Sequence, residues 1–201
     1  MPRSCSRNFE RNFDSLGAFG RNRDGVKSPS LFLLLAGAIG LAGCDRRAEP
    51  TDPATREAVW AAIQPPAARY RIDASFIYAL VAAESNFEVR ARNGDARGLM
   101  QLKPGAWRTV SSEAYEPAVW NWRKNLETGI EYLAWCRHTL QANKRFSYPV
   151  LLASYHYGLD RVATENFDLN RFPVPDNPIY RELWRGNLSP VPPPAARGRS
   201  P

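Results

Sequence analysis

The segment from Asp73 to Gln101 puts a carboxylate where a helix calls for an apolar residue. Asp73 or Ser75 can cap the start of that helix. Ile77, Leu80, Val81 and Glu84 then fall at i, i+3, i+4 and i+7, one stripe of a 3.6-residue period. Three of the four suit a core. The fourth is an acid, and burying a charge is costly. Desolvation favours the protonated form and raises the pKa. A carboxyl that stays protonated near neutral pH is a general acid. Asn86 and Phe87 end the helix, which leaves Glu84 in its last turn beside a loop. From this helix alone a second reading stays open, in which Glu84 reaches water or pairs with Arg90 or Arg92.

Composition narrows the chemistry. A chain of 201 residues allows one domain or two small ones. It has no glycine-rich phosphate loop, no Cys/His cluster with metal spacing and no long basic run. No nucleic acid, metal or cofactor is therefore expected. The three cysteines, Cys5, Cys44 and Cys136, fit no zinc motif. Six Trp, eight Tyr and nine Phe suit a compact core, and aromatic rings also suit the apolar faces of sugars.

Residues 26–44 read as an export signal. Lys27 supplies positive charge, and Leu31–Leu41 is an apolar run too short to span a bilayer. Leu41-Ala42-Gly43-Cys44 resembles a bacterial lipobox, which makes Cys44 the lipidated new N-terminus; an ordinary signal peptide or short apolar anchor is the alternative. The polar residues 1–25 sit oddly ahead of a signal, and Val26 is a plausible alternative start. Six Lys/Arg and three Asp/Glu leave with residues 1–43, so the net charge falls from +7 to +4. The expected organisation is a leader over 1–43, a lipidated N-terminus and linker over 44–56, a helical domain over 57–188, and a disordered Pro- and Arg-rich tail over 189–201.

Within the domain the periodicity predicts six or so helices and no alternating strand. The first runs from Thr55 to Ile63 and is ended by Pro65-Pro66. The Glu84 helix follows, then a polar loop with an Asn93-Gly94 turn. Pro104 opens a helix carrying Trp107 and Val110. Residues 113–123 form a loop or short helix. The longest pattern covers Asn125–Gln141, with Leu126, Ile130, Leu133, Arg137 and Leu140 on one stripe and Trp135 and Cys136 alongside. Cys136 is expected to be a small buried hydrophobe without a disulfide. Pro149 opens a helix stopped by Gly158. An irregular stretch leads to a last helix from Ile179 to Trp184.

In four places the residues resemble the lytic transglycosylases of bacterial cell walls. Ala83-Glu84-Ser85-Asn86-Phe87 is similar to that family's Glu-Ser motif. Ala96-Arg97-Gly98-Leu99-Met100-Gln101 is similar to its Gly-Leu-Met-Gln motif. Asn125 with Gly129-Ile130-Glu131-Tyr132-Leu133 resembles its Asn-(x)3-Gly-(x)2-Tyr-Leu helix. Ala153-Ser154-Tyr155-His156-Tyr157-Gly158 stands where the family has Ala-x-Tyr-Asn-Ala-Gly. Pro173–Tyr180 is a fifth, weaker match. His156 and Tyr157 depart from the family's Asn and Ala, and a bulkier Tyr157 narrows any subsite it faces. The resemblance implies a mostly α, single lysozyme-like domain with a catalytic cleft, acting on peptidoglycan glycan strands in the cell envelope. The lipobox adds a lipid anchor on the periplasmic side of the inner or outer membrane.

The resemblance makes Glu84 the catalytic acid and gives Ser85, Met100, Gln101, Asn125, Tyr155 and Tyr180 substrate-binding roles. For several of these the residues alone allow another role: ending the helix for Ser85, core packing for Met100 and Tyr155, a helix cap or supporting group for Asn125. Hydrolysis of glycosides ordinarily needs two carboxylates, yet Glu88, Asp95, Glu131 and Asp160 fall in solvated or pairing positions. One acid suffices where the sugar supplies its own nucleophile, the muramyl 6-hydroxyl, closing a 1,6-anhydro ring. A goose-type lysozyme and an inactive peptidoglycan-binding lipoprotein are the alternatives.

Overall fold

The computed structural model describes residues 53–195. The expected leader, the start at Val26, the lipidation site Cys44 and residues 196–201 lie outside the described residues. Among the described residues, eight α-helices, one two-stranded hairpin and one 3-10 turn follow in order.

Helix α1 (Arg56–Tyr70) is capped by Thr55, whose Oγ1 accepts from the Ala58 amide at 3.1 Å. It does not stop at the prolines, which lie inside it. They remove the hydrogen bonds to the carbonyls four residues earlier, those of the exposed Ala61 and the half-buried Ala62. Val59, Ile63 and Ala67 meanwhile bury one stripe that continues past the prolines. Helix α2 (Ala74–Ser85) is capped by Asp73, which accepts from Ser75 and Phe76 amides at 2.8 and 3.1 Å. Phe76 to Ala82 are buried without interruption. A helix apolar all round belongs in the centre of a domain, and α2 lies against α1 on one side and the last helix on another.

Strands β1 (Arg92–Asn93) and β2 (Ala96–Arg97) pair antiparallel around Gly94 at φ +57°. Helix α3 (Pro104–Val110) has Pro104 in its first turn and buries Trp107. The short α4 (Tyr115–Ala118) leads to α5 (Trp122–Ala142). Asn121, not Asn125, caps α5, accepting from Arg123 and Lys124 amides at 3.1 and 3.2 Å. Its buried stripe takes Leu126, Ile130, Leu133, Cys136 and Leu140. Arg137 was expected on that stripe; instead its guanidinium lies over the Phe146 ring at 5.1 Å and donates to Gln141 at 2.9 Å. Cys136 is buried, and burial pushes its thiol well above the ordinary value.

Helix α6 (Tyr148–Tyr157) packs on α5 and ends at Gly158, whose φ of +90° turns the chain directly into α7 (Leu159–Thr164). Together with the 3-10 turn Leu169–Arg171, α7 replaces much of the expected irregular stretch. Its six residues are too few for periodicity to reveal. Helix α8 (Pro178–Trp184), capped by Asn177, closes on α2 and α6. Leu188 and Val191 still pack against the core, so contacts reach into the stretch read as a tail.

Candidate active site

The site is organised by the C-terminal end of α2. Glu84 occupies its last turn, and the helix stops because Asn86 (φ +47°) and Phe87 (φ +66°) both adopt the left-handed conformation. Neither is glycine, so the turn is held by tertiary contact. Phe87 supplies it, buried with its ring 4.9 Å from that of Tyr78.

Three groups set the state of Glu84. Burial is the largest influence and raises its carboxyl from 4.5 to about 7. The Tyr180 hydroxyl, which donates to Glu84 Oε1, opposes the rise, and so does the positive charge of Lys103. The result is a carboxyl half protonated near neutral pH and able both to give and to take a proton. Tyr180 is 3% exposed, and burial together with the Glu84 charge holds its own phenol well above the ordinary value. Asn177, the cap of α8, donates its Nδ2 to the Ala83 carbonyl at 3.4 Å and fixes α8 against the turn that carries Glu84.

Facing this is the loop Gly98–Gln101. Asn125 is fully buried. Its Oδ1 accepts from the Met100 amide at 2.9 Å, while Nδ2 donates to Arg97 and Val119 carbonyls at 3.0 and 3.2 Å. A Cβ on Gly98 would come within 2.4 Å of Asn125 Nδ2, and the backbone there is left-handed at φ +75°. A Cβ on Gly129, one turn along α5, would come within 2.4 Å of Met100 Sδ. Asn125 and Gly129 thus form a seat for the loop. The Tyr155 hydroxyl completes it, donating to the Met100 carbonyl at 2.6 Å. Gln101, at φ +46°, spends its Nε2 on Ala91 and Gly98 carbonyls at 3.1 and 2.9 Å.

The predicted residues therefore divide. Glu84 and Tyr180 are in direct contact, and the Glu84 charge reaches Tyr155, whose phenol it helps to hold high. Met100 and Asn125 have no exposed surface and so no face for a sugar; they shape the loop. Ser85 donates its hydroxyl back to the Val81 carbonyl of its own helix at 3.2 Å. Glu88, Asp95 and Asp160 are exposed, and Glu131 lies partly buried on α5 among Glu127 and Lys124. Three contributors were missed: Lys103, Asn177 in its contact with α2, and His156, whose Nδ1 lies 3.3 Å from the Tyr180 hydroxyl. Only His156 carried a signal, as a departure beside Tyr155. A surface pocket of about 300 Å³ lies elsewhere, between α1 and α5, and contains no predicted site residue.

The model of the transglycosylase SLT domain family matches residues 61–169, more than half of the chain. The chain belongs to that family. The mostly helical, lysozyme-like domain expected from the motifs stands with this membership. The SLT match takes in Glu84, the Gly98–Gln101 loop, Asn125 and Tyr155, and stops before Tyr180. Among solved structures, the SLT chain is similar to an inactive mutant of the lytic transglycosylase Slt from Pseudomonas aeruginosa, at 23% identity and a TM-score of 0.47. That alignment covers 64% of this chain and 22% of the other. No curated protein matches. Among the described residues no helix is long and apolar enough to cross a membrane.

Proposed function

We propose that the protein is a peptidoglycan lytic transglycosylase with Glu84 as its acid and then its base. The observation that carries this reading is Glu84, in the family's Glu-Ser position, held by the buried Tyr180 hydroxyl where burial pushes its carboxyl up to about 7. Glu84 protonates the glycosidic oxygen between N-acetylmuramic acid and N-acetylglucosamine as the C1–O bond breaks. The N-acetyl group stabilises the cationic carbon. The Glu84 carboxylate then removes the proton of the muramyl 6-hydroxyl, whose oxygen bonds to C1 and closes the 1,6-anhydro ring. The proton given equals the proton taken, and no water enters. Tyr180 suits both halves, because its donated hydrogen bond favours the carboxylate while burial favours the acid.

The remaining site residues support this pathway from the loop side. Tyr155, Asn125, Met100 and Ser85 hold the site in shape, and Gln101 keeps its carbonyl oxygen for a glycan. The proposed setting is the periplasmic side of the envelope, with a lipid on Cys44 as the anchor. Digestion of purified peptidoglycan, read by mass spectrometry, tests the reading. Fragments with 1,6-anhydro-muramyl ends that vanish in Glu84→Gln support it. Reducing ends would make the protein a lysozyme, and a folded protein that releases no fragments would leave only wall binding.

A further inference from the structure

The Tyr180 hydroxyl touches two groups that titrate. One is Glu84 Oε1, and the other is His156 Nδ1 at 3.3 Å. A phenol has one proton to donate and lone pairs to accept with. It cannot donate to both neighbours at once. Two ordered arrangements follow. With Glu84 ionised, Tyr180 donates to the carboxylate, and the imidazole bonds the phenol oxygen only by presenting an N–H. With Glu84 protonated, the carboxyl donates to the phenol oxygen, and Tyr180 turns its proton to a bare Nδ1. A lone pair on Nδ1 therefore favours the acid form of Glu84, and an N–H there favours the carboxylate.

We propose that His156 is a positioning residue that sets the protonation of Glu84 through the Tyr180 hydroxyl, resting on the reading of Glu84 as the acid. The surroundings hold the imidazole in place: the Tyr157 ring stands edge-on to His156 at 4.6 Å and the Tyr180 ring at 5.0 Å. The titratable and charged groups that face the relay are Glu84 from α2, Lys103 from the start of α3, Tyr155 and Tyr157 from α6, and Tyr180 from α8. Tyr155 and Tyr157 have committed their hydroxyls elsewhere, to Met100 and Pro173 carbonyls. Burial first and Lys103 second lower the imidazole's affinity for a proton, so Nδ1 can stand bare at neutral pH. An asparagine, the residue of the resembled family at this position, also offers a hydrogen-bonding group but no titration.

The test reads Glu84 directly in the full chain, by carboxyl carbon NMR with the signal assigned by its loss in Glu84→Gln. The Tyr157 and Tyr180 rings cover part of the imidazole, but the residue as a whole keeps a solvent-exposed surface, so His156→Phe and His156→Asn are expected to fold, and their amide spectra verify it. His156→Phe removes the bare nitrogen and leaves Tyr180 with Glu84 as its acceptor. The Glu84 midpoint then moves to lower pH, a roughly fivefold loss of proton affinity, the size of one hydrogen bond. His156→Asn restores most of the midpoint. An unmoved or raised midpoint in His156→Phe overturns the coupling, as do equal shifts in both variants. Wall digestion is scored separately: a shifted midpoint without released fragments would remove the enzyme and support the coupling.

Discussion

Asn125 clasps the backbone on both sides of Leu99: its Oδ1 accepts from the Met100 amide at 2.9 Å and its Nδ2 donates to the Arg97 carbonyl at 3.0 Å. The side chain is fully buried and both its N–H groups are committed to backbone carbonyls, which leaves it no face for a ligand. Asn125→Ala leaves the Met100 amide and two carbonyls without this partner. The expected loss of stability is about 3 kcal/mol, from buried groups left unsatisfied. Urea unfolding measures it, and a loss under roughly 1 kcal/mol would show that the loop finds other partners.

The contact between Gly129 and Met100 predicts a rescue. Gly129→Ala places a methyl within 2.4 Å of Met100 Sδ and 2.9 Å of its Cβ, so the loop must shift. It is expected to cost about 2 kcal/mol despite the better helix propensity of alanine. Combined with Met100→Ala, the penalty of the glycine substitution shrinks, because the Sδ and Cγ that crowd the new methyl are gone and only Cβ, at 2.9 Å, remains. A double-mutant cycle by thermal unfolding checks this, and additive losses refute the contact.

Glu84→Gln separates catalysis from stability by pH. Glu84 binds its proton more tightly in the folded state than at its ordinary value of 4.5, and releases it near 7. Its contribution to stability is therefore complete below the ordinary value and is lost as pH rises through about 7. The full shift corresponds to roughly 3 kcal/mol, reduced by the water that reaches a partly exposed group. The expected result is equal melting of wild type and Glu84→Gln at low pH, and a higher melting temperature for the variant well above pH 7. Turnover is lost at every pH. A variant that melts lower than wild type at high pH contradicts the buried-acid assignment.

Tyr180→Phe moves the pH profile the other way from His156→Phe. The Tyr180 hydroxyl stabilises the Glu84 carboxylate, so its removal raises Glu84 further. The acid stays protonated at higher pH, and the alkaline limb of wall digestion moves upward by about half a unit to one unit. Turnover falls at the same time, because the base step needs the carboxylate. An alkaline limb that moves downward would show that Tyr180 favours the acid instead.

The sequence carried much of the helical scaffold because its apolar stripes repeat over ten residues or more, as in α2 and α5. Asp73 stands where a cap was expected, and Gly158 at the end of its helix, since each does its work within a few residues of itself. Pro65-Pro66 misled, because proline is only a local signal against a helix, while the buried stripe of Val59, Ile63 and Ala67 carries this one through the pair. Helix α7 was invisible for want of length. The site was legible at Glu84, whose charge conflicts with its stripe. The meeting of Tyr180 with Glu84 spans 96 residues, and no local pattern encodes it. Lys103 and the Asn177 contact with Ala83 likewise depend on how α3 and α8 pack. For Met100 and Asn125 the motifs marked the positions, while the geometry turns both inward.

Met100 is gripped by partners that come later in the chain, Asn125 by 25 residues and Tyr155 by 55. The loop that faces Glu84 thus takes its shape only when α5 and α6 have both arrived, whereas α2 is a contiguous segment that needs no such wait. A nascent chain ending at Ala142 would already hold the acid and its helix without the phenol that closes the Met100 carbonyl. Its loop amides are expected to exchange with solvent faster than in the whole domain. Completion of the domain is in this sense the switch that turns a glutamate on a helix into an assembled site, and a chain released early would carry the acid without its surroundings.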